Sequence, residues 1–143
     1  MHFDLNKKFF SKLSIGTANL NNNYGLLKKN KINLNQFKNL IRLLKKKNIR
    51  FIDTSSAYGN SESFIGELKL SKFKIITKSI FDSKTKSFKI NETLKNLRQK
   101  PYAILFHKFQ DYKKNKNKFL NEIKEAKVSK YGVSIYSKKE FNM

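Results

Sequence analysis

Three short apolar runs in this chain stop abruptly on a polar residue. Phe51-Ile52 ends on Asp53, and Tyr58-Gly59 follows after four intervening residues, ahead of a Ser/Glu-rich helix start. Phe73-Lys74-Ile75-Ile76-Thr77 ends on Lys78, and Tyr102-Ala103-Ile104-Leu105-Phe106 ends on His107. Runs of this length, bounded by turn signals and separated by helical stretches, are the strands of an α/β chain. Parallel α/β sheets place their chemistry at the carboxyl ends of the strands. Asp53, Tyr58, Lys78 and His107 are therefore candidate site residues on neighbouring strand ends.

The rest of the chain fits the same alternation. Residues 1–11 form an N-terminal arm, either an extra strand or a loose lead, and residues 12–143 form one domain. Lys12 to Ala18 reads as the first strand, and Asn19 to Asn30 as an asparagine-rich loop too polar to bury. Asn33 caps the first helix with Gln36 as its capping-box partner, and Ile32 and Phe37 have the spacing of a hydrophobic staple. Leu34, Phe37, Leu40, Ile41 and Leu44 share one face of that helix, which Lys45-Lys46-Lys47 closes. A short helix starts at Ser61 or Ser63. Residues 79–90 show no period, and Asn91 to Gln99 is a helix that Pro101 stops. A lysine/asparagine loop follows His107, then a helix carrying Phe119, Leu120, Ile123 and Ala126, then a fifth strand over Lys130 to Tyr136. Ser137 and Glu140 form a second capping box with three residues after it. The pattern predicts parallel (β/α) repeats. They fit either an open doubly wound sheet or the first part of an eight-fold barrel, which needs roughly 250 residues.

Composition narrows the partners. At 143 residues, 38% hydrophobic and 13% aromatic, the chain supports one modest core. It has no cysteine, so disulfides and thiolate metal sites are excluded. No apolar run approaches the roughly 18 residues of a membrane span. The start of the chain lacks the apolar core of a signal peptide, which makes a cytoplasmic protein the default. The formal net charge of +22 invites a nucleic-acid reading. However, arginine, the usual reader of bases and phosphates, occurs only at Arg42, Arg50 and Arg98. The lysines are spread over nearly every segment and accompany abundant Asn, Ile and Phe, as in a compositional drift of the whole sequence. A solvated lysine surface with nonspecific polyanion binding at low salt is the expectation.

Each polar strand end has a bland explanation when taken singly: a structural histidine, a turn-capping aspartate, a solvated lysine. Together on one rim they suit proton transfer to a carbonyl oxygen. A tyrosine hydroxyl, with a reference pKa of about 10, is a poor acid near neutrality, and a nearby ammonium favours its phenolate. Such a lysine needs a countercharge in a partly dry site, which Asp53 supplies. His107 can donate a hydrogen bond to the same oxygen. His2 is the only other histidine, so a metal site is not expected.

Leu13-Ser14-Ile15-Gly16-Thr17, Phe51-Ile52-Asp53-Thr54, Ala57-Tyr58-Gly59, Ser61-Glu62, Thr77-Lys78, Leu105-Phe106-His107 and Gly132-Val133-Ser134 resemble successive signatures of the aldo/keto reductase family, in its order and at nearly its spacing. The resemblance covers roughly residues 12–137 and only the N-terminal part of the family. It implies an incomplete TIM barrel of about five of the eight β/α units and NADPH-dependent reduction of a small aldehyde or ketone. It implies Tyr58 as general acid, Lys78 tuning it, Asp53 paired with Lys78 and touching the nicotinamide ribose, and His107 orienting the carbonyl. It further implies cofactor contacts at Gly16, Thr17 and Ser134. Ile135 stands where many members have asparagine. The later units that grip the cofactor's adenosine and phosphates are missing.

The sequence thus reads as a truncated half-barrel, active only when the missing half is supplied. A non-catalytic remnant and a basic nucleic-acid-binding module are the alternatives. Unpaired edges on the first and fifth strands predict self-association.

Overall fold

The computed structural model describes residues 7–20 and 32–142, with the side chains of Lys7 and Lys8 left out. Tyr24, Gly25 and most of the asparagine-rich loop lie outside the described residues, as do residues 1–6 of the arm. The described part of the arm is a helical turn, α1 (Lys7–Phe10), rather than a strand. Phe10 packs against the core. The chain then alternates through β1 (Ser14–Gly16), α2 (Leu34–Lys46), β2 (Phe51–Asp53), α3 (Ser61–Glu67), β3 (Lys74–Ser79), α4 (Ile90–Leu97), β4 (Ala103–Phe106), α5 (Phe109–Glu125), β5 (Tyr131–Val133) and α6 (Lys138–Phe141).

All neighbouring strands pair in parallel, in the order β1-β2-β3-β4-β5. A doubly wound sheet reverses its direction of growth at a switch point. This sheet never reverses, so the two architectures that the β/α pattern allows are separated in favour of an arc of a (β/α) barrel. The sheet is open: β1 and β5 are its edges and do not pair with each other.

Burial divides the sheet into two unlike faces. Ile52, Ile75, Ile104 and Phe106 are fully buried under helices. Ile52 and Ile75 meet Phe37, Ile41 and Leu44 of α2 and Ile65 of α3. Ile104 and Phe106 meet Phe119 and Ile123 of α5 and Phe88 of the β3–α4 connection. Residues of opposite parity, among them Asp53, Ile76, Lys78, Leu105 and His107, are only partly covered. Alternation along a strand puts these on the other face, toward a barrel axis. At the amino ends of the strands Lys74 lies over the rings of Phe51 and Tyr102, at 5.4 and 5.1 Å from their centroids.

Local signals explain most boundaries. Asn33 Oδ1 accepts from the Gln36 amide and Gln36 Oε1 from the Asn33 amide, each at 2.9 Å, which completes the expected capping box. Ile32 and Phe37 both join the core, as a hydrophobic staple requires. Ser137 caps the short α6 through the Glu140 amide at 3.2 Å. One expectation is corrected: the lysine/asparagine stretch after His107 is helical from Phe109 onward. Lysine is a good helix former when its head stays in water. Phe109 is buried, and Tyr112 stacks edge-on against Phe106 at 5.4 Å, so two aromatic anchors hold the first turns down. The irregularity sits at Asn115, where φ −128° and ψ 19° break the helix into two segments.

Close approach of α3 to α4 brings the loops of the site together. A Cβ on Gly66 would strike the carbonyl oxygen of Asn96 and lie 3.0 Å from the carbonyl carbon of Leu97. Both are backbone atoms and cannot rotate away. Gly66→Ala is therefore expected to destabilise the fold by about 1–3 kcal/mol, read as a lower urea midpoint at unchanged slope.

Candidate functional site

The carboxyl ends of β2, β3 and β4 place Asp53, Lys78 and His107 on the same, uncovered face. The parallel ladder continues past the strands and fixes the first residues of each loop. Thr54 N–H donates to Ile76 O at 2.9 Å, Ser56 N–H to Lys78 O at 3.0 Å, and His107 N–H to Ser79 O at 2.9 Å. The loop after β2 then turns through Tyr58, whose amide donates to Ser55 O at 3.0 Å. Gly59 takes φ 54°, a left-handed conformation that costs glycine nothing. Ser61, fully buried, sits with its hydroxyl within reach of the carbonyls of Tyr58, Thr17 and Leu20 at 2.8, 3.1 and 3.3 Å. It thereby holds the Tyr58 loop against the segment after β1.

The four candidates converge. Lys78 Nζ donates to Asp53 Oδ2 at 2.6 Å and to Thr54 O at 3.1 Å. The Lys78 side chain is 11% exposed and that of Asp53 34%. A nearly buried ammonium needs such a partner, and the half-open carboxylate keeps one side for a ligand. The same Nζ lies 5.4 Å from the centroid of the Tyr58 ring. That ring meets the His107 ring edge-on, with centroids 6.0 Å apart and planes at 83°. Burial, then the charges of Lys78 and Lys108, hold His107 below the usual histidine range, against the opposing pull of Asp111 and Asp53.

The three remaining candidates sit at the edges of this cluster. Gly16 is the register partner of Asp53, and a Cβ there would meet nothing within 4 Å, so open space lies over it. Thr17 is buried, and its hydroxyl donates to Asp53 O at 3.2 Å, so its side chain braces the β2 end. Ser134, just past β5, donates its amide to Phe106 O at 2.9 Å and stays half-buried. The open space over Gly16 and the partly exposed Asp53 carboxylate lie side by side. Among the described residues, no group of three metal-ligating side chains is arranged to hold a metal ion. A cleft of about 520 Å³ lies behind the Tyr58 loop, lined by Ser56, Gly59, Glu62, Asp82 and Lys89, and the four converging residues do not line it.

Two supporting residues were not readable as such. Ser55 is fully buried between Lys78 and His107. Glu62 is buried and accepts from the Thr77 hydroxyl at 2.6 Å, one residue before Lys78. In the sequence Ser55 sits in a run of small turn residues and Glu62 in a polar helix start; only their burial reveals them.

Burial raises the Glu62 carboxyl above its ordinary value of 4.5, against hydrogen bonds from Thr77, Thr93 and Asn96 that lower it. A raised carboxyl holds its proton in the folded state where the unfolded chain has already lost it. Its contribution to stability is full below the unfolded value and is lost as pH rises through the folded one. Glu62→Gln removes this titration. The urea midpoint of the variant is expected to rise relative to the unaltered protein as pH climbs from about 4 to about 8; parallel profiles would contradict the assignment.

The sequence matches the aldo/keto reductase family over residues 12–140. Among curated proteins, none matches it. Among solved structures, a protein from Pseudomonas aeruginosa assigned as an aldo-keto reductase superimposes with a TM-score of 0.67 at 22% identity, over 85% of this chain and 54% of its own. A second structure of an aldo-keto reductase assignment from that organism gives 0.64 at 22% identity, over 85% and 53%. The chain thus spans about half the length of the structures it resembles. At this identity the superpositions speak for the fold, whose five parallel strands follow the barrel order. The family match over most of the chain establishes the rest: this chain belongs to the aldo/keto reductase family.

Proposed function

We propose that the protein takes part in NADPH-dependent reduction of an aldehyde or ketone, with Tyr58 as general acid. The observation that carries this reading is the placement of the Lys78 ammonium, gripped by Asp53 at 2.6 Å and set beside the Tyr58 ring at 5.4 Å. An ammonium in that position stabilises the phenolate that forms as the hydroxyl proton leaves. Asp53 keeps the ammonium in place, because a lysine this enclosed needs an opposite charge beside it. His107 stands at the edge of the same ring, where it would reach the oxygen of a bound substrate. Gly16, Asp53 and Ser134 would hold the nicotinamide end of the cofactor. When bound, the cofactor supplies hydride to the carbonyl carbon. The proton needed at the carbonyl oxygen comes from Tyr58. Thr17 acts here through the backbone of Asp53.

The chain covers about half of the structures it resembles, so the residues that would grip the far end of the cofactor are not among the described ones. Titration of the 143-residue chain with NADPH, followed by cofactor fluorescence, is expected to show weak or no binding. Supplied with the remaining β/α units, the protein is expected to reduce small aldehydes, and Tyr58→Phe to lower kcat by about 100-fold or more. A variant with unchanged turnover would rule out Tyr58 as the proton donor.

We further propose that the open sheet associates with a second copy in a cytoplasmic setting. Among the described residues no helix is long and apolar enough to cross a membrane. Tyr131, Ile135, Tyr136 and Phe141 are 57%, 41%, 72% and 75% exposed, and all lie at or just beyond the β5 edge. An unpaired edge flanked by exposed apolar side chains favours pairing. Analytical ultracentrifugation is expected to give dimers or larger species whose weight grows with protein concentration. A monodisperse, cooperatively melting monomer would remove the proposal. The lysine surface adds weak, salt-sensitive binding to polyanions without sequence preference.

A further inference from the structure

The basic residues are scattered along the chain but not over the molecule. In a parallel β/α sheet each helix ends beside the amino end of the next strand. The segments that make this turn, from the last helical residues to the first of the strand, are 9–14, 45–51, 66–74, 96–103 and 124–131. They carry one, four, three, two and three lysines or arginines, all exposed, against two carboxylates, Glu67 and Glu125. Arg50 and Arg98, two of the three arginines in the chain, are among them. The opposite end of the sheet is mixed, with Asp53, Glu62, Asp82, Glu92 and Asp111 standing among its lysines. The ion pairs Lys78–Asp53 and Lys89–Asp82 belong to that end. Among the described residues, neither Glu67 nor Glu125 pairs with a cation.

At the amino end, rings rather than carboxylates hold the cations. Lys74 Nζ and Lys130 Nζ lie 5.1 and 4.8 Å from the centroid of Tyr102, and Lys74 Nζ also lies 5.4 Å from that of Phe51. The two rings meet edge-on with centroids 5.5 Å apart. A ring attracts an ammonium without neutralising it, and leaves its N–H groups for water or an anion. Arg50 spends only its Nε, on Asn48 Oδ1 at 2.8 Å. Tyr131, next to Lys130, is 57% exposed. Uncompensated cations interleaved with rings match a sugar-phosphate backbone whose bases are free to stack. Lysine meets phosphate as a point charge and reads no base edge. Lipid is matched less well. Ile135, Tyr136 and Phe141 lie past the carboxyl end of β5, whereas a lipid-seated surface needs its apolar side chains beside its cations.

We propose that the amino end of the sheet is a docking surface for single-stranded nucleic acid, bound without sequence preference by Arg50, Lys74 and Lys130, with Tyr131 as a stacking platform. This localises, and rests on, the polyanion binding given under Proposed function; it does not depend on carbonyl reduction. Lys74 and Lys78 stand four residues apart on β3, about 13 Å along the strand, so a nucleic acid on the amino end leaves the Asp53–Lys78 site uncovered.

Fluorescence anisotropy of a short labelled single-stranded RNA, titrated with the chain at several salt concentrations, tests this. Arg50→Gln, Lys74→Gln and Lys130→Gln together are expected to weaken binding about 10-fold or more and to make the salt slope shallower by about 2, as loss of three phosphate contacts on a single strand requires. Lys84→Gln, Lys86→Gln and Lys138→Gln remove the same charge from the opposite end and are expected to weaken binding by less than about 3-fold. Equal losses in the two variants overturn the proposal, because net charge alone then accounts for binding. If the first variant lacks the native circular dichroism spectrum, Lys46→Gln, Lys100→Gln and Lys127→Gln replace it with the same expectation. Tyr131→Ser is expected to weaken the single strand about 5-fold and a duplex of the same sequence far less. An equal effect on both overturns the stacking role. Tighter binding to phosphatidylglycerol vesicles than to RNA, lost in the amino-end variant, assigns the surface to lipid and overturns the proposal. Absence of RNA binding at low salt removes the polyanion reading as well, and leaves carbonyl reduction to its own test.

Discussion

Lys78 uses both ends of its residue to hold the site together. Its ammonium is nearly enclosed and bridges Asp53 and the Thr54 carbonyl on the neighbouring strand. Its own carbonyl collects the Ser56 amide and the Ser55 hydroxyl from the loop that carries Tyr58. A cation removed from water must be paired, because an unpaired one costs far more than the pair returns. The requirement ties β2, β3 and the Tyr58 loop into one arrangement. His107 then enters through Ser55 at 2.8 Å. Four side chains from three successive repeats meet because one strand-end lysine gathers partners at both its ammonium and its carbonyl.

The fold beneath this cluster is asymmetric for a related reason. Helices cover one face of the sheet, where Ile52, Ile75, Ile104 and Phe106 are fully buried. The opposite face carries the charged residues and is only partly covered. In a closed barrel the far strands supply its other wall. Packing energy is concentrated on the helical side, notably where Phe88, Phe106 and Phe119 stack with centroids 3.8 to 5.3 Å apart. That side stabilises the sheet, and the chemistry occupies the side left over.

Composition leaves its mark on the connections without moving them. Asn48, Lys69, Arg98 and Lys127 follow helices in left-handed backbone, at φ 57°, 48°, 51° and 52°. Glycine ordinarily serves there, and a side chain costs about 1 kcal/mol or more at each such position. With 5 glycines and 32 lysines and arginines in the chain, the turns are retained and their strain is carried by residues that do not suit it. The same reasoning fits the lysines over the rings of Phe51, Tyr102 and Phe109, whose apolar stems cover aromatic surface while their heads stay in water.

Periodicity alone determined that the chain is a β/α alternation with polar groups at strand ends, because short apolar runs and turn chemistry are written locally. The Asn33–Gln36 cap and the Ile32–Phe37 staple were legible for that reason, spanning only a few residues each. The helical nature of the stretch after His107 was not, since a lysine- and asparagine-rich segment becomes a helix only when Phe109 and Tyr112 find a surface to pack on. Barrel order against doubly wound order was not local either; it is a matter of which strand lies beside which. The roles of Ser55 and Glu62 come from contacts 52 and 15 residues away in the chain. The partners of a buried hydroxyl or carboxyl are decided only when those distant segments are brought within hydrogen-bonding reach.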